Sequence, residues 1–181
     1  MKEVFHFLFL GIMLFLETRI PLFALKSDRW HHATQNISIK FFNTISIYIL
    51  FFVGQFAALV QSFDSGLLTK LNLPLWAEVV MILFVCDFFM YISHFLDHKI
   101  PFLWRFHRVH HSDTSVDATT AYRTHLVEVL VGNLMFLFFV FPVFGISLKS
   151  YVVYQVTFAL IDVFHHSNIS MPKKLDDFLK I

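Results

Sequence analysis

The chain has 181 residues, of which 57% are hydrophobic and 25 are phenylalanine, with a mean hydropathy of +0.66; that is more apolar material than a water-soluble domain carries. A formal net charge of +1 gives no reason to expect nucleic acid as a partner. Cys86 is the one cysteine, which excludes an intramolecular disulfide, a cysteine-ligated iron-sulfur cluster and a CxxCH haem attachment.

The apolar residues gather into runs of membrane-spanning length separated by short polar segments, which predicts an all-α, polytopic transmembrane helix bundle. The first run covers about residues 4–25. It lacks a small-x-small cleavage site, so a retained first span is expected rather than a signal peptide. Glu17 and Arg19 fall near its far interface, where charges snorkel or pair, and Pro21 bends or ends it. Lys26 to Asn36 (KSDRWHHATQN) reads as a loop at headgroup level. His31 and His32 in that loop are taken as interfacial side chains, since no third histidine stands at helical spacing from them.

A second span is predicted from about Ser38 to Phe63, then a turn at DSG (64–66) and Pro74. The third span runs from about Leu75 to His98 and contains Asp87 at depth, which needs a partner inside the bundle, either on a neighbouring helix or around a metal site. The helix after the central polar stretch opens with RTHLVE and runs to Phe144, broken by Pro142 and Gly145, with His125 at its entrance. Ile146 to Phe164 returns antiparallel and ends in His165 and His166. Residues 1–74 are thus N-terminal transmembrane helices, and 75–181 form a histidine-motif domain.

Between the third span and the next lies SHFLDHKIPFLWRFHRVHHSDTSVDATTAY (93–122). His94 and His98 are four apart; His107, His110 and His111 are three and four apart. On helices each set projects from one face, and neutral imidazole suits iron, zinc, copper or nickel. With the first terminus outside, Lys26, Arg29, Lys40, Lys99, Arg105, Arg108, Arg123, Lys173, Lys174 and Lys180 fall on one side of the membrane, against Lys2, Lys70 and Lys149 on the other. Positive residues mark the cytoplasmic side, so a histidine-rich metal-binding face built from four segments is expected in the cytoplasm.

Zinc could occupy such a site but cannot change valence. A centre at the mouth of an apolar bundle can receive a lipid chain, whose unactivated C–H bonds need an oxidant, and an iron pair activating dioxygen would serve. Asp97, Asp113, Asp117, Glu128 and Asp162 are candidates to orient the rings and balance the ion charge; the alternative for each is an interfacial charge or a helix cap. Arg105, Arg108 and Arg123 could pair with these carboxylates or contact anionic headgroups. No dinucleotide glycine motif is present, so electrons must come from a separate donor.

HFLDH (94–98), PFLWRFHRVHHSD (101–113), RTHLVE (123–128) and FHHSNI (164–169) together resemble the sterol desaturase and fatty acid hydroxylase superfamily, from about Asp87 to Leu179. The resemblance implies an integral membrane, non-haem di-iron oxidoreductase that hydroxylates or desaturates a lipid with O2. It also implies metal ligation by His94, His98, His107, His110, His111, His125, His165 and His166, with a cytochrome b5-like protein, a ferredoxin or a reductase as electron donor. Members of that family continue with a further HxxHH after a segment like MPKKLDDFLKI, where this sequence stops. The expectation is therefore an incomplete site and an inactive chain. A non-catalytic membrane protein binding zinc or copper, or kept for interactions, is the alternative; a b-type cytochrome fits poorly, because the histidines crowd at helix ends.

Overall fold

The computed structural model describes residues 2–25, 28–62 and 66–179. The described residues form helices α1 (Lys2–Arg19), α2 (Arg29–Ser62), α3 (Leu67–Lys70), α4 (Leu75–Lys99), α5 (Pro101–His111), α6 (Leu126–Met135), α7 (Phe141–Phe144), α8 (Leu148–His166) and α9 (Lys173–Leu179). A 3-10 turn covers Ala118–Tyr122, and a π-helical turn, Phe136–Val140, joins α6 to α7. The only β pairing among the described residues is an isolated bridge between Pro21 and Ile169. The all-α expectation holds.

α4 and the continuous rod Leu126–Phe144 are each long and apolar enough to cross a membrane. Their outer faces carry exposed Phe84, Phe88, Tyr91, Phe138 and Phe139, as lipid-facing helices do. Asp87 also lies on an exposed face of α4 rather than inside the bundle. Pro142 does not break the rod. Its ring would clash with a carbonyl one turn back, and the π-helical turn just before it relieves that conflict. Gly145 ends the rod in the left-handed region at φ 63°, a conformation glycine adopts without strain. Gly66 is fixed by a close approach: a Cβ there would lie 2.0 Å from the Gly145 nitrogen.

One apolar core, at the end of the bundle away from the histidines, joins Leu68, Ile82, Cys86, Val140, Phe141, Ile146 and Tyr154. The second, at the histidine end, joins Leu10, Met13, Ala118, Ala121, Tyr122 and Val163. The 3-10 turn sits inside this second core with all five residues buried. Asp117 caps it in a capping box: its side chain receives the Thr119 N–H at 2.8 Å, and the Asp117 N–H donates to Thr120 Oγ1 at 3.0 Å.

The charged residue of the first apolar run has a more specific place than a headgroup. Glu17 is fully buried. Its Oε1 accepts the backbone N–H groups of Ala118 (2.7 Å) and Asn168 (2.8 Å), and its Oε2 accepts Arg29 Nη2 at 3.0 Å. One carboxylate thereby ties α1, the start of α2, the 3-10 turn and the end of α8. The residues expected to form a loop before the second span are helical from Arg29 onward, because Arg29 is drawn inward by Glu17; Lys26 and Ser27 lie outside the described residues, as do Asp64 and Ser65 of the expected turn. Glu17→Ala leaves Arg29 buried without its counter-charge, and thermal or denaturant unfolding in detergent should show a loss of about 3–5 kcal/mol.

Candidate metal centre

α4 and α5 are joined at Ile100–Pro101. Ile100 is extended (φ −94°, ψ 115°), the conformation a residue before proline prefers, and Pro101 takes the first helical position, where its missing N–H costs nothing. The reversal lays the last turns of α4 against α5, so that two i, i+4 histidine pairs face each other. His94 Nε2 is 3.2 Å from His98 Nε2, His98 Nε2 is 3.2 Å from His111 Nε2, and His111 Nε2 is 3.0 Å from His107 Nε2. The ligand atoms of all four lie within 4.8 Å of one another.

Two nitrogens each ~2.1 Å from one ion are roughly 2.9–3.4 Å apart at octahedral or tetrahedral angles. The observed separations match. His107 Nδ1 lies 2.9 Å from Glu128 Oε1; with Glu128 ionised beside a bound cation that oxygen can only accept, so Nδ1 would carry the proton and Nε2 would present a lone pair to the cluster. Fixing the tautomer of a ligating ring through its other nitrogen is the usual device around a metal. The donor set fits a first-row cation. Asp97, buried near the end of α4, completes a second group with His107 and Glu128.

His110 sits beside the four, its ring 5.6 Å from His107 and 5.3 Å from His111, and its Nε2 is 3.1 Å from His166 Nε2. His166 Nδ1 donates to the Asp162 carbonyl at 2.7 Å and lies 3.4 Å from Asp162 Oδ1, so in its neutral form this ring also turns a lone pair toward its neighbour; burial opposes its protonation, but Asp162 outweighs that and raises its proton affinity. The pair offers two ligands of a second position beside the first. The structure does not bring His125 and His165 to either group. His125 Nδ1 accepts the Val127 N–H at 3.1 Å, capping α6, and its ring packs on Phe106; His165 is exposed, with its ring 6.2 Å from Phe164.

Burial, and then repulsion from neighbouring imidazoles, holds His107 down to about 3. His110 is lowered to about 4 by burial, then by His166 and His111, with Asp162 opposing. His111 is lowered as well, by burial first and then by His98 and His166. These rings stay neutral and able to ligate at physiological pH.

Asp113 and Asp117 do not touch the histidine cluster. They clamp His32, a residue the sequence offered no spacing to single out: His32 Nε2 is 2.9 Å from Asp113 and its Nδ1 is 3.2 Å from Asp117 Oδ2. Burial pushes the Asp113 carboxyl up, but the Ser115 N–H, the Thr120 hydroxyl and His32 outweigh it and hold it below the usual range. Asn36, one turn on, donates to Thr119 Oγ1 at 3.0 Å. The clamp fastens the segment after α5 to α2, so the HxxHH helix is held at its exit as well as at Pro101.

A cavity of about 350 Å³ starts at His94, His107, His110 and His166 and runs between α4, α6 and α8 to aromatic side chains. Such a volume lies at the lower end for small-molecule sites. The chain is thus an all-helical protein with apolar, membrane-length helices and a histidine centre opening on a cavity whose wall combines polar side chains with Met90, Val129, Phe136, Phe141 and Phe158. The fatty acid hydroxylase family model matches residues 79–181, more than half of the chain, and the chain belongs to that family, whose members are iron-dependent oxidoreductases acting on lipids. No curated protein and no solved structure matches significantly.

For the metal-free protein a pH dependence follows. Unfolded histidine titrates near 6.5, whereas folded His107 and His110 titrate near 3 and 4, so below 6.5 the unfolded chain takes up protons that the folded one refuses. Chelator-treated wild type should therefore lose more Tm between about pH 6.5 and about pH 4.5 than the His110→Asn variant does; equal losses contradict the burial of these rings.

Proposed function

We propose that the chain is a multi-pass membrane di-iron oxygenase of the hydroxylase or desaturase type, acting on a lipid with O2, with its histidine face in the cytoplasm. The observation that carries this reading is the convergence of Nε2 atoms from α4 and α5 at 3.0–3.2 Å, at a cavity that reaches in among the helices. His94, His98, His107 and His111 would hold one iron. His110 and His166 would contribute to the second. Bound iron supplies the oxidation of an unactivated C–H bond by dioxygen, chemistry that no side chain provides.

The chain's own residues prepare that event. With a cation bound, Glu128 in its ionised form and the Asp162 carbonyl would keep the protons of His107 and His166 on Nδ1, so that the lone pairs face inward. Asp97 and Glu128, ionised beside that cation, would balance its charge against a neutral ligand set. The cavity admits hydrocarbon and excludes water from the reacting carbon. The cytoplasmic placement is supported by the distribution of lysine and arginine, and electrons would arrive there from a cytochrome b5-like protein, a ferredoxin or a reductase. Zinc would fill the same nitrogen set as a substitute without supporting turnover.

Protein purified with iron should retain it, and His107→Ala should abolish retention by elemental analysis. Glu128→Gln should weaken metal binding about 10- to 100-fold, measured by chelator competition. Tightly held zinc, no iron after iron-supplemented expression and no oxygen uptake with lipid and reductant would instead favour a non-catalytic metal-binding protein.

A further inference from the structure

Gly132 lies within α6, in the interior of a helical rod, where glycine is less favourable than any residue but proline. Nothing in its immediate surroundings demands it. Its φ is not positive, and a Cβ built there would meet no atom within 4 Å. Gly66 and Gly145 have a steric or conformational reason to be glycine; Gly132, like Gly11 of α1, has neither, and of these two Gly132 borders the cavity. What the missing side chain leaves is space, and that space belongs to the cavity, whose wall includes Gly132.

Its position along the wall is informative. Glu128, Gly132 and Phe136 succeed one another at i, i+4 and i+8 and line the same cavity. Glu128 reaches His107 at 2.9 Å. Phe136 stacks on Tyr154, ring centroids 5.8 Å apart, and Tyr154 lies 5.8 Å from Phe158; with Phe141 and Tyr151 they make the aromatic part of the wall. Gly132 is midway, about 6 Å along the axis from the level of Glu128, with the aromatic floor about 12 Å from it. The polar groups deep in the cavity are engaged with the protein: Gln155 Nε2 donates to the Tyr151 hydroxyl at 2.6 Å, and Asn133 Nδ2 to the Val129 carbonyl at 2.7 Å.

We propose that Gly132 is a specificity-determining residue that keeps the cavity open past the histidine centre, so that the substrate is a lipid whose hydrocarbon continues about two helical turns beyond the oxidised carbon. A side chain as long as leucine at 132 would occupy the middle of the cavity. The substrate is then attacked at an internal position of an alkyl or acyl chain, its apolar end lying against Phe136 and Tyr154. This rests on the oxygenase reading only for the word oxidised; the occupancy of the cavity by hydrocarbon is a separate matter.

The test uses n-alkanols of graded length carrying a diazirine at the terminal carbon, photolysed with the full chain in lipid nanodiscs, with adducts mapped by mass spectrometry and metal content measured on the same samples. In the wild type, longer probes should label Phe136, Tyr154 or Phe158, with occupancy rising about fourfold for each methylene accommodated. Gly132→Leu should cut labelling of that floor by the longest probe at least tenfold and move adducts back toward the Glu128 level, leaving metal content unchanged. Gly132→Ala, which improves helix propensity and so keeps the fold, should give an intermediate loss. Floor labelling in Gly132→Leu equal to the wild type, or no floor labelling by any probe in the wild type, overturns the proposal. Floor labelling that depends on residue 132 in a protein that never binds iron would leave the pocket assignment standing and remove the oxygenase reading.

Discussion

Imidazole nitrogens do not gather without a reason. Four rings from two antiparallel helices turn Nε2 atoms toward one point at 3.0–3.2 Å, and His107 is held from behind by Glu128 at 2.9 Å. A ring's own N–H can be shared with one neighbour at a time, whereas a cation can take all four lone pairs at once, and the low proton affinity of buried His107 and His110 keeps those rings neutral for it. The reversal at Ile100–Pro101, the clamp on His32 and the cavity behind His107 all either place these rings or make use of them.

Polar atoms inside an apolar bundle are costly unless they are fully partnered, and this chain spends its buried charges on fastening its helices at the histidine end. Glu17 joins α1 to Arg29, Ala118 and Asn168. His32 joins α2 to Asp113 and Asp117. The segments that follow α1 and α8 pair through the Asn168 side chain, which accepts from Phe23 N at 2.8 Å and donates to Phe23 O at 3.0 Å. The opposite end of the bundle is held by aliphatic and aromatic packing instead. Rigidity is thus concentrated where ring positions must be kept to fractions of an ångström, and the looser aromatic end is where a hydrocarbon chain would be accommodated.

The helices were legible because their signals are periodic and local: α4 spans Leu75–Lys99 against an expected Leu75–His98, and the rod to Phe144 ends at Gly145 as its left-handed preference requires. The histidine set was legible for the same reason, since i, i+4 spacing survives folding, and Glu128 and Asp162 are close enough in sequence to histidines to be suspected. Long-range pairings were not. His32 lies 85 residues from Asp117, and no spacing rule links a histidine near the start of one helix to a carboxylate in a distant turn. His125 shows the converse error: a histidine within a matching motif caps its own helix, because an Nδ1 lone pair at a helix start competes locally for the Val127 N–H. Glu17 could have been singled out, since a carboxylate in an apolar run must find a partner, though several arginines were candidates for that partner. Asp87 followed the same logic and lies exposed.

X-ray absorption at the iron edge of protein reconstituted with Fe(II) tests the centre most directly. Scattering dominated by several imidazole nitrogens at about 2.1 Å, diminished in His107→Ala and His111→Ala but retained in His125→Ala, is the expected result. A first shell of oxygen alone, or one unaffected by replacing His107, would show that these rings converge without holding a metal.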